Sequence, residues 1–233
     1  MDPRNPGNDG RLRLVSFKRL FRQPKGEHEM KQVKGKRVLE RCFGMVALLL
    51  TGVMLLGCGG TATAQVEPGQ AMPDFKLKDL NGKEHSLADY KGKIVVIEFC
   101  SHNCPYSRGA DPQLIELAKK YADQGVVVLG IDSNTPNDIE SIRKYAEEKG
   151  KNYPILKDEG NAYADEVGAT RTPEVFVVDK EGKVAYHGAF DDRKNPEKTG
   201  ETPYVENAVK ALIEGKPVET PTAKAWGCTI KRK

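Results

Sequence analysis

The sequence predicts an α/β domain of three layers, a central mixed sheet flanked by helices, and three observations predict it. Two near-continuous β-branched runs, Ile94–Phe99 and Val126–Ile131, suit strands covered on both faces. Each is followed by a stretch with apolar residues at helical spacing, and the chain then closes with a strand, a turn, a strand and a helix.

Taken in order, Gln65 to Gln70 reads as a linker, and Ala71–Leu77 and Glu84–Leu87 alternate apolar with polar residues around Asn81-Gly82, a hairpin signal. Lys91-Gly92-Lys93 turns the chain into the first buried strand. From Pro105 to Gln124, Leu114, Ile115, Leu117, Ala118 and Tyr121 mark one helix face, and Gly125 ends it. After the second buried strand, residues 137–149 repeat the helical pattern with Gly150 beyond the end. Tyr153–Leu156 is extended, Asn161–Val167 a short helix, Glu174–Val178 and Lys183–His187 a strand pair, and Tyr204–Glu214 the closing helix. The domain thus runs over 71–215, and the tail, 216–233, reads as extended, packing locally through Trp226.

Charge is unevenly placed. Residues 1–64 carry 12 Lys+Arg against 5 Asp+Glu, whereas the remainder carries 25 against 28 and is slightly acidic. No basic face is left to follow phosphates, which excludes nucleic acid as a partner. Residues 1–29 lack apolar periodicity and read as disordered or as an upstream extension. Residues 30–64 show a basic block, an apolar block from Phe43 to Leu56 and small residues, the succession of an export signal. Leu55-Leu56-Gly57-Cys58 resembles a lipobox with Cys58 as the lipidated residue, Ala62-Thr63-Ala64 offers a plain cleavage site, and an uncleaved signal anchor is the third option. Each puts the domain outside the cytoplasm, periplasmic or membrane-anchored. Beyond Cys42 and Cys58 three cysteines remain, Cys100, Cys104 and Cys228, an odd number for an oxidising compartment.

The chemistry centres on residues 94–112. The strand ends in a loop that presents Cys104, and Pro105 opens the helix. The free N–H groups and aligned dipoles of a first helical turn favour a thiolate over a thiol, so Cys104 is the candidate nucleophile. Glu98, an acid on an apolar strand just before the loop, is a candidate for assisting proton transfer, and His102 for tuning the thiol. Cys100 also fits a plain buried cysteine at a strand end, while Asp111 and Arg108 read as solvated charges and His85 and His187 as solvent-facing strand residues.

Several motifs resemble the thioredoxin-like superfamily, in particular its redoxin group, which contains the alkyl hydroperoxide reductase/thiol-specific antioxidant proteins and extracytoplasmic thiol-disulfide oxidoreductases. They are Pro73-Asp74-Phe75 with Asp79 and Gly82, Lys91-Gly92-Lys93, Phe99 through Pro112, and Thr172-Pro173 before Phe176–Asp179 and Gly182, spread over 69–215. The resemblance implies a three-layer thioredoxin-like fold and a cis Pro173, whose loop, with Thr172 and Pro105, binds an extended substrate segment beside the nucleophile. It also exposes a departure: Cys104-Pro105-Tyr106-Ser107 carries serine where the group has its second cysteine. Serine cannot resolve a mixed disulfide.

Three chemistries follow. As a thiol-disulfide oxidoreductase, Cys104 needs a resolving thiol, Cys100 four residues earlier or Cys228 on the tail, and acts on protein disulfides or thiols with a thiol reductant. As a peroxiredoxin-like peroxidase it would use Ser101 and Arg171 around a peroxide, although Ile97 replaces the expected proline. As a copper chaperone resembling the Sco type, Cys100 and Cys104 would be joined by His102. The first is the leading expectation, with the Cys100–Cys104 disulfide as its first oxidised state and no cofactor or resident metal.

Overall fold

The computed structural model describes residues 65–136 and 138–232. The expectations for 1–29 and for an export signal with Cys58 over 30–64 lie outside the described residues.

Among the described residues, ten strands and four α-helices succeed one another. The strands are β1 (Lys76–Asp79), β2 (Glu84–Ser86), β3 (Ile94–Phe99), β4 (Val126–Asp132), β5 (Ile155–Lys157), β6 (Arg171–Thr172), β7 (Glu174–Val178), β8 (Val184–Gly188), β9 (Thr222–Ala223) and β10 (Cys228–Thr229). The helices are α1 (Pro105–Tyr121), α2 (Ile139–Lys149), α3 (Ala162–Val167) and α4 (Tyr204–Ile213). Eight strands form one sheet in the order β2-β1-β5-β4-β3-β7-β8-β9, and β10 pairs with β6 as a separate ribbon. Within the sheet β3, β4 and β5 are parallel neighbours, while β7 runs antiparallel to β3, so the sheet is mixed, as the pattern predicts.

Alternation along β3 explains how both faces are covered. Val95, Ile97 and Phe99 join Phe75, Leu129, Ile131, Tyr163 and Phe176 on one side of the sheet. Ile94 and Val96 join Leu114, Leu117, Val128, Val177 and Val205 on the other, under α1 and α4. Glu98 shares the parity of Ile94 and Val96 and is therefore delivered beneath α1.

Three local expectations change. The first strand begins at Lys76 rather than Ala71, because Pro73 has no N–H to give and Asp74 folds its carboxylate back onto the amides of Phe75 and Leu87, at 2.9 and 2.7 Å. The linker 65–70 is part of the fold: Val66 is buried in the Phe75 cluster and its amide donates to the Val167 carbonyl at 3.1 Å. The tail is not a loose extension either. β9 adds to the sheet edge beside β8, β10 pairs with β6, and Ile230 is 2% exposed among core residues. Among the described residues, no helix is long and apolar enough to cross a membrane.

Candidate active site

Cys104 is the N-cap of α1, with φ −94° and ψ 118°, and Pro105 supplies the first helical residue, whose missing N–H costs nothing there. Its amide donates to the Ser101 carbonyl at 3.1 Å and its carbonyl accepts from Arg108 at 3.0 Å. The thiol donates to the Thr172 carbonyl at 3.0 Å, and the whole residue is 2% exposed. Thr172-Pro173 is a cis peptide bond, and both residues are buried. Helix start and cis-proline loop thus meet at one sulfur.

The loop is held from behind by Glu174, which is fully buried at the start of β7. Its carboxylate accepts from the amides of Thr170 and Arg171 at 2.7 and 2.8 Å and from Gln65 at 2.9 Å, and His187 Nε2 lies 2.8 Å away. His187 is therefore not solvent-facing: it is 6% exposed and stacked on Phe176 at 4.2 Å. His85 is also buried, between Tyr90 Oη at 2.6 Å and Asp79 at 3.1 Å. A polar residue in a strand reads as exposed until its partner is known, and both partners are carboxylates that sequence spacing does not point to.

The tail completes the site. β10 runs antiparallel to β6 with Cys228 opposite Thr172 and Thr229 opposite Arg171. This register sets the Cys228 thiol against that of Cys104, with the Tyr106 backbone amide also in contact. Burial, and then the bond to Cys104, push the Cys228 thiol up to about 11. Trp226 anchors the approach, donating its indole N–H to the Asp191 carbonyl at 2.7 Å and packing on Tyr106 with ring centres 5.3 Å apart. Behind it the buried Asp191–Arg193 pair, 2.7 Å apart, places the guanidinium over the indole.

Cys100 is elsewhere. Its side chain packs in an apolar group with Ile142 and Ile155 and would touch a Cβ at Gly130, and burial together with the charge of Glu98 holds its thiol well above the ordinary range. The contacts of the Cys104 thiol are to Thr172 and Cys228, so the geometry favours Cys228 over Cys100 as its resolving candidate. Among the described residues no group of three His, Cys, Asp or Glu side chains is placed to hold a metal ion.

Beneath α1 lies a buried polar group. Glu98, fully buried, accepts from Ser107 Oγ at 3.0 Å, and its Oε2 has no hydrogen-bond partner. Burial raises its carboxyl from the usual 4.5 to about 7, against the pull of the Lys151 charge. Lys151 itself pairs with Asp111 at 2.5 Å, and Tyr145 donates to the same carboxylate at 2.7 Å. Burial opposes the Lys151 charge, but Glu98 and its other acidic neighbours outweigh that and raise its pKa. Asp111, expected to be solvated, is 2% exposed. Ser107, in the place of a second cysteine, links this group to the loop by also accepting from the Ser101 amide at 3.2 Å.

The remaining candidates are engaged locally. Ser101 Oγ accepts from the Asn103 amide at 3.3 Å, and the exposed Arg171 donates to the Gly227 carbonyl at 3.3 Å, so both groups expected to hold a peroxide are bonded to backbone. His102 lies against Tyr145 with ring centres 6.0 Å apart, its Nδ1 without a partner. Pro105 is exposed at the mouth of the site.

Comparison with known proteins agrees with this fold. The model of the AhpC/TSA family matches residues 68–187. The thiol-disulfide oxidoreductase ResA of Geobacillus thermodenitrificans is 33% identical over 152 residues, 65% of this chain and 86% of that protein. A hypothetical protein from Sinorhizobium meliloti has a crystal structure that superposes with a TM-score of 0.68 at 32% identity, over 72% of this chain and 96% of that one. A thiol:disulfide interchange protein of the thioredoxin family from Chlorobium tepidum shares the fold at 22% identity, with a TM-score of 0.52 over 64% of this chain and 99% of that one.

Proposed function

The chain belongs to the AhpC/TSA family and is a thioredoxin-like oxidoreductase, and on that premise we propose that it exchanges thiols and disulfides through Cys104, with Cys228 as the resolving thiol. The observation that carries this reading is the contact between the two sulfurs across the helix start and the β6–β10 ribbon. The Cys104 thiolate attacks one sulfur of a partner disulfide and expels the other as a thiolate, giving a mixed disulfide. Cys228, deprotonated, then attacks Cys104 Sγ, so that the Cys104–Cys228 bond forms and the partner leaves as a dithiol. The partner gains two electrons, the pair on this chain loses two, and an external thiol reductant restores them. Thr172 and Pro173 form the wall at which the partner segment lies. Glu98, with its raised carboxyl, is the buried group that takes or returns the proton through the Ser107 side of the site.

Trapping tests the assignment. With a disulfide-bonded protein substrate, Cys228→Ser accumulates a mixed disulfide on Cys104, whereas Cys100→Ser turns over as the wild type does. Accumulation in Cys100→Ser with normal turnover in Cys228→Ser would overturn it.

The basic, apolar and small-residue succession of 30–64 supports an extracytoplasmic, membrane-tethered location with Cys58 as the lipidated residue. Cys58→Ser then shifts the protein from the membrane fraction to the soluble one, and unchanged retention would exclude the lipid anchor.

A further inference from the structure

We infer that the segment 224–229 is a built-in strap occupying the edge on which a partner's cysteine-bearing strand must lie, so that Cys104 works by exchange of one strand for another. The inference rests on the assignment of Cys104 and Cys228 above. Three observations carry it. Cys104 is 2% exposed, and its thiol is enclosed by Thr172 on one side and the strap's Cys228 on the other, so a protein disulfide cannot reach it while the strap is in place. The strap's ladder is short. It comprises Cys228 opposite Thr172, Thr229 opposite Arg171, and the Ile230 amide donating to the Thr170 carbonyl at 2.9 Å, with Lys224 and Thr229 exposed and none of 225–228 fully buried. The register itself shows what the edge accepts. An extended segment antiparallel to β6, with cysteine opposite Thr172, delivers its sulfur to Cys104, and the tail does this with its own chain.

The partner is accordingly an extended, cysteine-bearing segment that pairs with the Arg171–Thr172 backbone, not a folded surface or a small disulfide alone. The order of events follows. The strap lifts, with Ile230 remaining in the core as its fixed end; the partner strand pairs with β6 and Cys104 attacks its disulfide, releasing the partner's other sulfur as a thiolate. The strap then returns, and Cys228 attacks Cys104 Sγ as the strap displaces the partner strand. Resolution and product release are one event.

Gly227 offers a way to open the strap without touching either sulfur. Its φ is +114°, and a Cβ there would lie 2.2 Å from the Thr172 carbonyl oxygen and 3.2 Å from Pro173, so Gly227→Val cannot seat the strap as found. Trp226→Ala loosens it by a second route, removing the bond to Asp191 and the packing on Tyr106. The probe is a peptide of alternating Thr and Val around one cysteine, activated as its thionitrobenzoate disulfide; release of thionitrobenzoate reports attack by Cys104 in the full chain. Both variants should capture the peptide faster than wild type, by about tenfold or more according to how closed the strap is, while resolution slows and the mixed disulfide persists. A copy of residues 224–231 with serine at the cysteine position, added in excess to Trp226→Ala, should slow capture again. A control peptide with proline on both sides of its cysteine, unable to pair as a strand, should gain little.

Wild-type capture rates in both variants, no effect of the serine copy, or equal gains for the proline peptide would each overturn the strap. Those results differ from a failure of the underlying assignment, in which Cys228→Ser would form no mixed disulfide with the peptide at all. If Gly227→Val does not fold, Trp226→Ala and the competing copy decide the matter.

Discussion

Glu98 and Ser107 show how single residues set the chemistry. The carboxyl of Glu98 is raised to about 7 by burial, whereas in the unfolded chain it returns to the usual 4.5. The folded state therefore binds more protons than the unfolded one between these values. This contribution is fully present below pH 4.5 and is lost as pH rises through 7, with a slope of up to about 1.4 kcal/mol per pH unit. Glu98→Gln keeps a polar side chain in the same space, and urea unfolding of it should show a flatter pH dependence between 4.5 and 7 than wild type; an unchanged slope would mean that Glu98 does not titrate there. Cys100, by contrast, packs in an apolar cluster with Ile142 and Ile155, and Cys100→Ser should cost about 1–3 kcal/mol for a buried hydroxyl without altering turnover. At this scale the sequence was partly readable. Extending the α1 stripe of Leu114 and Leu117 backwards by three and then four residues reaches Asp111 and Ser107, so the polar group under the helix had a signal in the spacing. The partners of His187 and His85 lie across the β7–β8 and β1–β2 hairpins, and which strand residues meet there depends on a register that the apolar pattern leaves open.

At the scale of elements, the cis-proline loop depends on the residue that follows it. Glu174 accepts the amides of Thr170 and Arg171, and losing it leaves two donors without their acceptor directly behind the Thr172 carbonyl that meets Cys104. Glu174→Ala should destabilise the protein by about 2–4 kcal/mol, read as a lower midpoint in urea, and protease cleavage should first appear near 168–173. A variant as stable as wild type would show that the loop is held by its neighbours instead. The strand and helix order was legible from periodicity, since β3, β4, α1 and α2 carry long and regular apolar patterns. β6, β9 and β10 were not. A two-residue strand has no period to detect, and its existence is decided by the edge it meets.

Across the whole molecule, both ends of the described chain are structural. Val66 and Ile230, outside the boundaries drawn from composition, lie in one apolar cluster with Phe75, Phe99 and Phe176. A Pro- and Thr-rich segment reads as loose because its few apolar residues are far apart, yet one isoleucine in a prepared cavity is enough to fix the strand before it. Ile230→Ala should therefore cost about 2–4 kcal/mol, as for other buried aliphatic truncations, and should lower the thermal midpoint; a neutral result would contradict the packed tail. The fixed tail is also what brings Cys228 124 residues along the chain to Cys104, and this pairing is the centre of the account. Its most direct test is to oxidise the reduced full chain with oxidised glutathione, block free thiols, digest and map the linked peptides by mass. The account predicts one internal disulfide joining the Cys104 and Cys228 peptides with Cys100 recovered as a free, blocked thiol; a Cys100–Cys104 link, or Cys228 recovered free, would contradict it.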